Sequence, residues 1–224
     1  MNYSDNEINS LTYSEAILVD KRTYFQYYIS LIKTKHLIIF TFFTKNDYNA
    51  LSSKISLFYF SFSLLLTVNS VFFKDSTMHK IYEDKGSFNF TYQLPRIFYT
   101  VIISSILNII AKYLSLTEKN IIKIKKDKKI DKSAQKCIFF KIKLFFTIFI
   151  IILIVFWFYI SSFCAVFKNA QIQLLKSCLI SFALSLTYPF GLYLIPGLFR
   201  IPSLKSEKKS HNTLFLISQI IQLI

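Results

Sequence analysis

Long uncharged apolar runs alternate with basic polar segments along this chain, and the runs set the reading. The strongest is Phe145-Phe-Thr-Ile-Phe-Ile-Ile-Ile-Leu-Ile-Val-Phe-Trp-Phe-Tyr-Ile160. A half-buried strand alternates and a surface helix shows a stripe; a run apolar on all sides and about twenty residues long matches the hydrocarbon core of a bilayer. Four such spans are predicted, at about 55–73, 97–116, 144–167 and 178–198. Lys54 and Lys74-Asp75 bracket the first, Pro95 is expected just ahead of the second, and Arg200 closes the fourth. Residues 24–43 are apolar too, but Lys33, Lys35 and His36 interrupt them. A lysine at mid-bilayer costs about 2.5–3.5 kcal/mol, so an amphipathic interfacial helix is expected there, with its linker filling 24–54.

The ends read as tails. Residues 1–23 carry Asp5, Glu7, Glu15 and Asp20 and are expected to be a mobile polar cytosolic tail or the end of a preceding linker. Residues 200–224 are expected to be a second cytosolic tail with a short apolar end. Ser218, Gln219 and Gln222 share one helical face, which suits a surface-lying helix, with a truncated span as the rival. The predicted fold class is therefore all-α: a polytopic integral membrane protein of four transmembrane helices, in a region covering 55–199, with an interfacial helix before the first span.

Composition sharpens this picture. Charged residues make up only 17% of the 224 residues and hydrophobic ones 53%, against about 25% charged in soluble domains. Lys, Ile, Phe, Tyr, Asn and Ser have AT-rich codons, so the 25 Phe are not read as a functional cage. The net charge of +15 would suggest nucleic acid in a soluble protein. Here it has a simpler source, the basic cytosolic loops of a membrane protein, and no nucleic-acid partner is expected.

The segment 117–143 holds ten Lys and three acids, with Lys123, Lys125, Lys126, Lys128 and Lys129 at its centre. It is read first as a topology anchor and second as a contact for anionic lipids. Basic residues also collect before the first span and after the fourth, which places both termini in the cytosol. The sequon Asn89-Phe-Thr91 then falls on the opposite side, where Asn89 is a candidate glycosylation site. Cys164 and Cys178 fall near the outer ends of adjacent spans, as a candidate disulfide or as two buried thiols; Cys137 is a candidate for S-acylation. Tyr188-Pro189-Phe190-Gly191 and Pro196-Gly197 are expected to kink a packed helix, the alternative being a broken helix that lines an ion site. Asn69, Ser104, Ser105 and Asn108 are expected to bond between helices or, alternatively, to line a pore.

All 12 carboxylates lie outside the predicted spans, which argues against an intramembrane proton relay or a paired-aspartate protease. His36, His79 and His211 are too scattered for a shared metal site, and three glycines cannot build a phosphate-cradling loop. No catalytic residue, metal or cofactor is expected.

Three stretches carry a resemblance: Tyr27-Tyr-Ile-Ser-Leu-Ile-Lys-Thr-Lys-His36, Asp75-Ser-Thr-Met-His-Lys-Ile-Tyr-Glu-Asp84, and Phe199-Arg-Ile-Pro-Ser203 with Tyr188-Pro-Phe-Gly191 before it. Together they resemble the membrane-embedded C-terminal region of large multi-pass proteins from protozoa with AT-rich genomes. The resemblance covers residues 20–205 and implies a part of something larger. It carries no activity and no functional residue with it. The expected function is a non-enzymatic membrane anchor or assembly module, alone, as a homo-oligomer or in a larger assembly; the alternative is a channel or transporter subunit.

Overall fold

The computed structural model describes residues 3–45, 47–127, 132–205 and 211–222, and these form helices and turns with no strand among them. In chain order the helices are α1 (Asp5–Asn9), α2 (Tyr13–Val19), α3 (Tyr24–Lys35), α4 (Leu51–Val71), α5 (Asp75–Glu83), α6 (Phe90–Ser115), α7 (Glu118–Asp127), α8 (Lys132–Val166), α9 (Gln171–Leu192), α10 (Leu194–Lys205) and α11 (His211–Ile221). A π-helical turn, Ile39–Phe43, follows α3. Four stretches are long and apolar enough to cross a membrane: Leu51–Val71, Phe90–Ile122, Gln135–Val166 and Lys168–Lys205. The protein is an all-α, polytopic membrane protein.

The helices divide into two packed units. The first joins residues 1–51, 117–129 and 186–224; the second joins 52–116 and 130–185.

The second unit holds most of the membrane-spanning helix. Leu57, Phe60 and Leu64 of α4 pack with Ala111 of α6 and Phe145 of α8. Phe73, Ile81, Phe163 and Leu174 form a second apolar cluster. Half of the α4 window is buried, against 17% of the Gln135–Val166 window, so α4 is the central helix and α8 shows most of its surface outward. Ile151, Ile154, Val155 and Phe158 are exposed on α8, as a lipid-facing helix requires.

Helix ends differ from the predicted spans for one reason: apolar length marks what lipid can cover, whereas caps mark where a helix starts. Asn89 caps α6, its Oδ1 accepting from Tyr92 N at 3.1 Å. The helix therefore begins before Pro95, which lies inside it rather than ahead of it. Helix α8 likewise starts at Lys132, well before its apolar run.

The first unit contains helices from both end segments of the chain. Residues 3–23 are folded. Glu7, Glu15 and Gln26 reach back to the N–H groups of Ser4, Thr12 and Thr23 at 2.7, 3.0 and 2.9 Å, so α1, α2 and α3 each start in the Ser/Thr-x-x-Glu/Gln pattern that satisfies orphan donors. Leu11, Ala16 and Phe215 then form a core that joins α2 to α11. Helix α11 packs on α10 with Ser218 and Gln222 turned inward and Ile217 and Ile220 outward. Gln219 Nε2 donates to Leu11 O at 3.0 Å.

The 24–43 stretch splits at His36. Helix α3 has twelve residues and rises about 18 Å, short of the hydrocarbon thickness of about 30 Å. Its inward face, Tyr27, Leu31 and Ile32, packs against Tyr193.

Candidate functional site

Two buried polar centres stand out, one in each unit. In the first, Asp20 and Arg200 have fully buried side chains and meet at 2.9 Å. Arg200 Nε also donates to Asp20 Oδ2 at 3.0 Å, and Arg200 Nη2 to Ile8 O at 3.0 Å. Arg22 spans the carboxylate, Nε donating to Oδ1 at 2.7 Å and Nη2 to Oδ2 at 2.8 Å. It further donates to Ser30 Oγ at 2.9 Å and Asn9 Oδ1 at 3.0 Å. The Tyr27 ring lies 5.2 Å from the Arg22 guanidinium and 5.1 Å from that of Arg200, which also stands 4.7 Å from Phe215. Cation–π contacts of this kind gain strength when desolvated.

Electrostatics follow from that geometry. Burial pushes the Asp20 carboxyl up, but the hydrogen bonds and charges of Arg22 and Arg200 outweigh it and hold the group below its ordinary value. Burial pushes the Tyr27 phenol up to about 12, so it stays neutral. One carboxylate thus ties α1, α2, α3 and α10 together.

Next to this cluster, α3 places a row of side chains on backbone carbonyls. Tyr24 Oη donates to Leu194 O at 2.8 Å and Tyr28 Oη to Phe190 O at 3.2 Å, and His36 Nε2 lies 2.9 Å from Leu186 O. The spacing is four residues on the carbonyl strand, one helical turn per rung. Pro189, which lacks an N–H, lies inside α9, and Tyr193 separates α9 from α10; the three rungs fasten α3 and His36 to this segment. Pro189 and Gly191 thus lie inside α9, and Pro196 and Gly197 are buried in α10.

In the second unit a polar seam runs between α4, α6 and α9. Ser61 Oγ donates to Asn108 Oδ1 at 2.9 Å, and Asn69 Nδ2 to Ser181 Oγ at 3.1 Å. Arg96 Nη2 donates to Ser177 Oγ at 2.6 Å and also reaches Gln93 Oε1, which accepts from Ser177 Oγ at 2.6 Å. The Phe73 ring lies 3.7 Å from the Arg96 guanidinium. Among the described residues Arg96 makes no ion pair, and its buried Nε finds no hydrogen-bond partner. Ser63 Oγ, Asn69 Oδ1, Thr100 Oγ1 and Ser104 Oγ are buried without partners as well. A cavity of about 310 Å³ opens beside Arg96, between the start of α5 and the first turns of α6.

The residues singled out in the sequence are scattered. Asn69 and Asn108 do bond between helices; Ser104 is buried, and Ser105 Oγ turns back to Val101 O at 2.7 Å. Asn89 is exposed at the α6 cap. Cys137, Cys164 and Cys178 are all free thiols, so no bridge joins Cys164 to Cys178 here. Lys123, Lys125 and Lys126 belong to α7, but their side chains, and Lys128 and Lys129 as a whole, lie outside the described residues, as does the His211 side chain. His36 follows α3 and His79 lies 3.3 Å from Glu83 on α5.

Sequence reasoning missed Asp20, Arg22, Arg96 and Arg200. Three capping patterns in the first 26 residues were the available sign that the N-terminal segment is folded. Nothing local in the sequence pairs residue 20 with residue 200.

Fold and buried polar centres together define a multi-pass helical membrane protein with a polar interior. No protein-family model, curated protein or solved structure matches the chain.

Proposed function

We propose that the chain is a non-enzymatic membrane module that holds a folded, basic platform at the cytosolic face of its membrane. The carrying observation is the Asp20–Arg22–Arg200 cluster. A loose tail would not bury a carboxylate between two guanidiniums, because desolvating such a group is expensive unless the partners are held in place. The platform includes the start of α7. Asn49 Oδ1 accepts from the N–H groups of Thr117 and Glu118 at 3.1 and 3.2 Å, and Glu118 Oε2 accepts from Asn6 Nδ2 at 2.6 Å. The start of α7, which leads into the polybasic segment, is thereby fastened to the first unit, which suits contact with anionic lipids or with a larger membrane assembly.

Tags in 74–94 and 117–143 test the orientation in sealed microsomes. Protease should reach only the second tag, and Asn89 is then available for a glycan. Cleavage of the first tag alone overturns the cytosolic platform.

A second reading, a channel or transporter subunit, is favoured by the unpartnered oxygens of Ser63, Asn69, Thr100 and Ser104, which water in a transport path would satisfy. Purified chain in sealed vesicles separates the two. The module reading expects ion leakage equal to that of empty vesicles. Protein-dependent flux that falls on Ser104→Leu replaces it with the transport reading.

A further inference from the structure

The Arg96 cavity has the chemistry of an anion site. Its polar lining is Lys74, Ser76, Thr77, Tyr92, Gln93 and Arg96, and no carboxylate is among its walls. Arg96 is only 8% exposed. A buried guanidinium without a counter-charge is costly, and its Nε is unpartnered while Nη2 is held by Ser177 and Gln93. Those bonds go to neutral partners and do not neutralise the cation. Ser76 and Thr77 lie in the first turn of the nine-residue α5, where the helix dipole favours negative charge, the Thr77 N–H itself being taken by Lys74 O at 2.9 Å. The acids nearby are otherwise placed. Glu83 and Asp84 pair with Lys80 at the far end of α5, at 3.4 and 3.5 Å, and Asp75 is exposed outside the cavity. Phe72, Tyr92 and Tyr99 supply the aromatic rim typical of the membrane–water boundary.

We infer that this cavity binds a phosphate group, with Arg96 and Lys74 supplying the charge and Tyr92, Ser76 and Thr77 the neutral donors. The phosphate is that of a phospholipid headgroup or a free ion, and the two differ in whether acyl chains add affinity.

The test uses the full chain purified in detergent, titrated with dioctanoyl phosphatidylglycerol, with inorganic phosphate, and with dioctanoylglycerol, which lacks the phosphate. Native mass spectrometry reads the stoichiometry. The expected result is one saturable phosphate-bearing ligand per chain, weakened about tenfold or more by Lys74→Gln and by Arg96→Gln, since charge-assisted hydrogen bonds are lost. Lys74 is exposed, so Lys74→Gln keeps the test valid should Arg96→Gln misfold. Tighter binding of the phospholipid assigns a headgroup; equal binding of inorganic phosphate assigns the free ion. Equal binding of dioctanoylglycerol, no saturable site, or an affinity unchanged in folded variants overturns the inference.

Discussion

Asp20 is gripped by two guanidiniums, those of Arg22 and Arg200. It is the sole carboxylate between Arg22 and Arg200, and removing one partner of a buried ionic set leaves uncompensated charge, at about 3–5 kcal/mol. Asp20→Asn leaves Arg200 without its carboxylate and Arg22 with only the partly exposed Asp5, 3.9 Å away, whereas Arg200→Met leaves Asp20 with both Arg22 bonds. Thermal unfolding in detergent should show the Asn variant much less stable than wild type and the Met variant in between. Equal losses would mean that the charge balance is not what holds the cluster. The pH dependence has a definite sign. The folded-state pKa of Asp20 lies below its ordinary value of 3.8, so its contribution is fully present above pH of about 4 and is lost as pH falls through the folded value. Wild type should lose stability below about pH 4 more steeply than Asp20→Asn, as melts across that range will show.

Among the elements, the rungs between α3 and the 186–194 segment depend on close approach. A Cβ on Gly197 would stand 2.6 Å from Tyr24 Cε2, inside the contact limit. Gly197→Ala must displace the ring whose hydroxyl bonds Leu194 O, and overpacking of this kind costs about 1–3 kcal/mol. A Cβ on Gly191 meets nothing within 4 Å, and a helical glycine is about 0.5–1 kcal/mol worse than alanine. Gly191→Ala should therefore be neutral or stabilising where Gly197→Ala is destabilising. Melting temperatures of the two, measured side by side, check the pair; the reverse order would remove Tyr24 from the account of the rungs.

Within the whole chain, the N-terminal segment ought to behave as part of the fold. Trypsin added to the purified protein should cut slowly after Arg22, because cleavage requires the cluster to open first. The same bond should be cut much faster in Asp20→Asn. Rapid removal of residues 1–22 from wild type would return the segment to the status of a tail and with it remove the platform from the proposed function.

Hydrophobic length by itself determined the class. Runs near 145–160 and 55–73 are too long and too free of charge for any solvent but lipid, and this holds wherever the helices lie in space. Interhelical bonding at Asn69 and Asn108 was legible for the same reason, since a polar side chain in an apolar run must find a partner. What sequence could not show were pairings across long chain separations. Asp20 and Arg200, Tyr24 and Gln219 are ordinary polar residues until another segment brings the partner, Leu194 O for Tyr24 and Leu11 O for Gln219. Their burial is a property of the packed state, and a charge that looks solvated in a string becomes a core residue only when its counter-charge is brought to it. The Arg96 cavity belongs to the same class: tertiary structure alone encloses the guanidinium and sets it, among the described residues, on neutral partners.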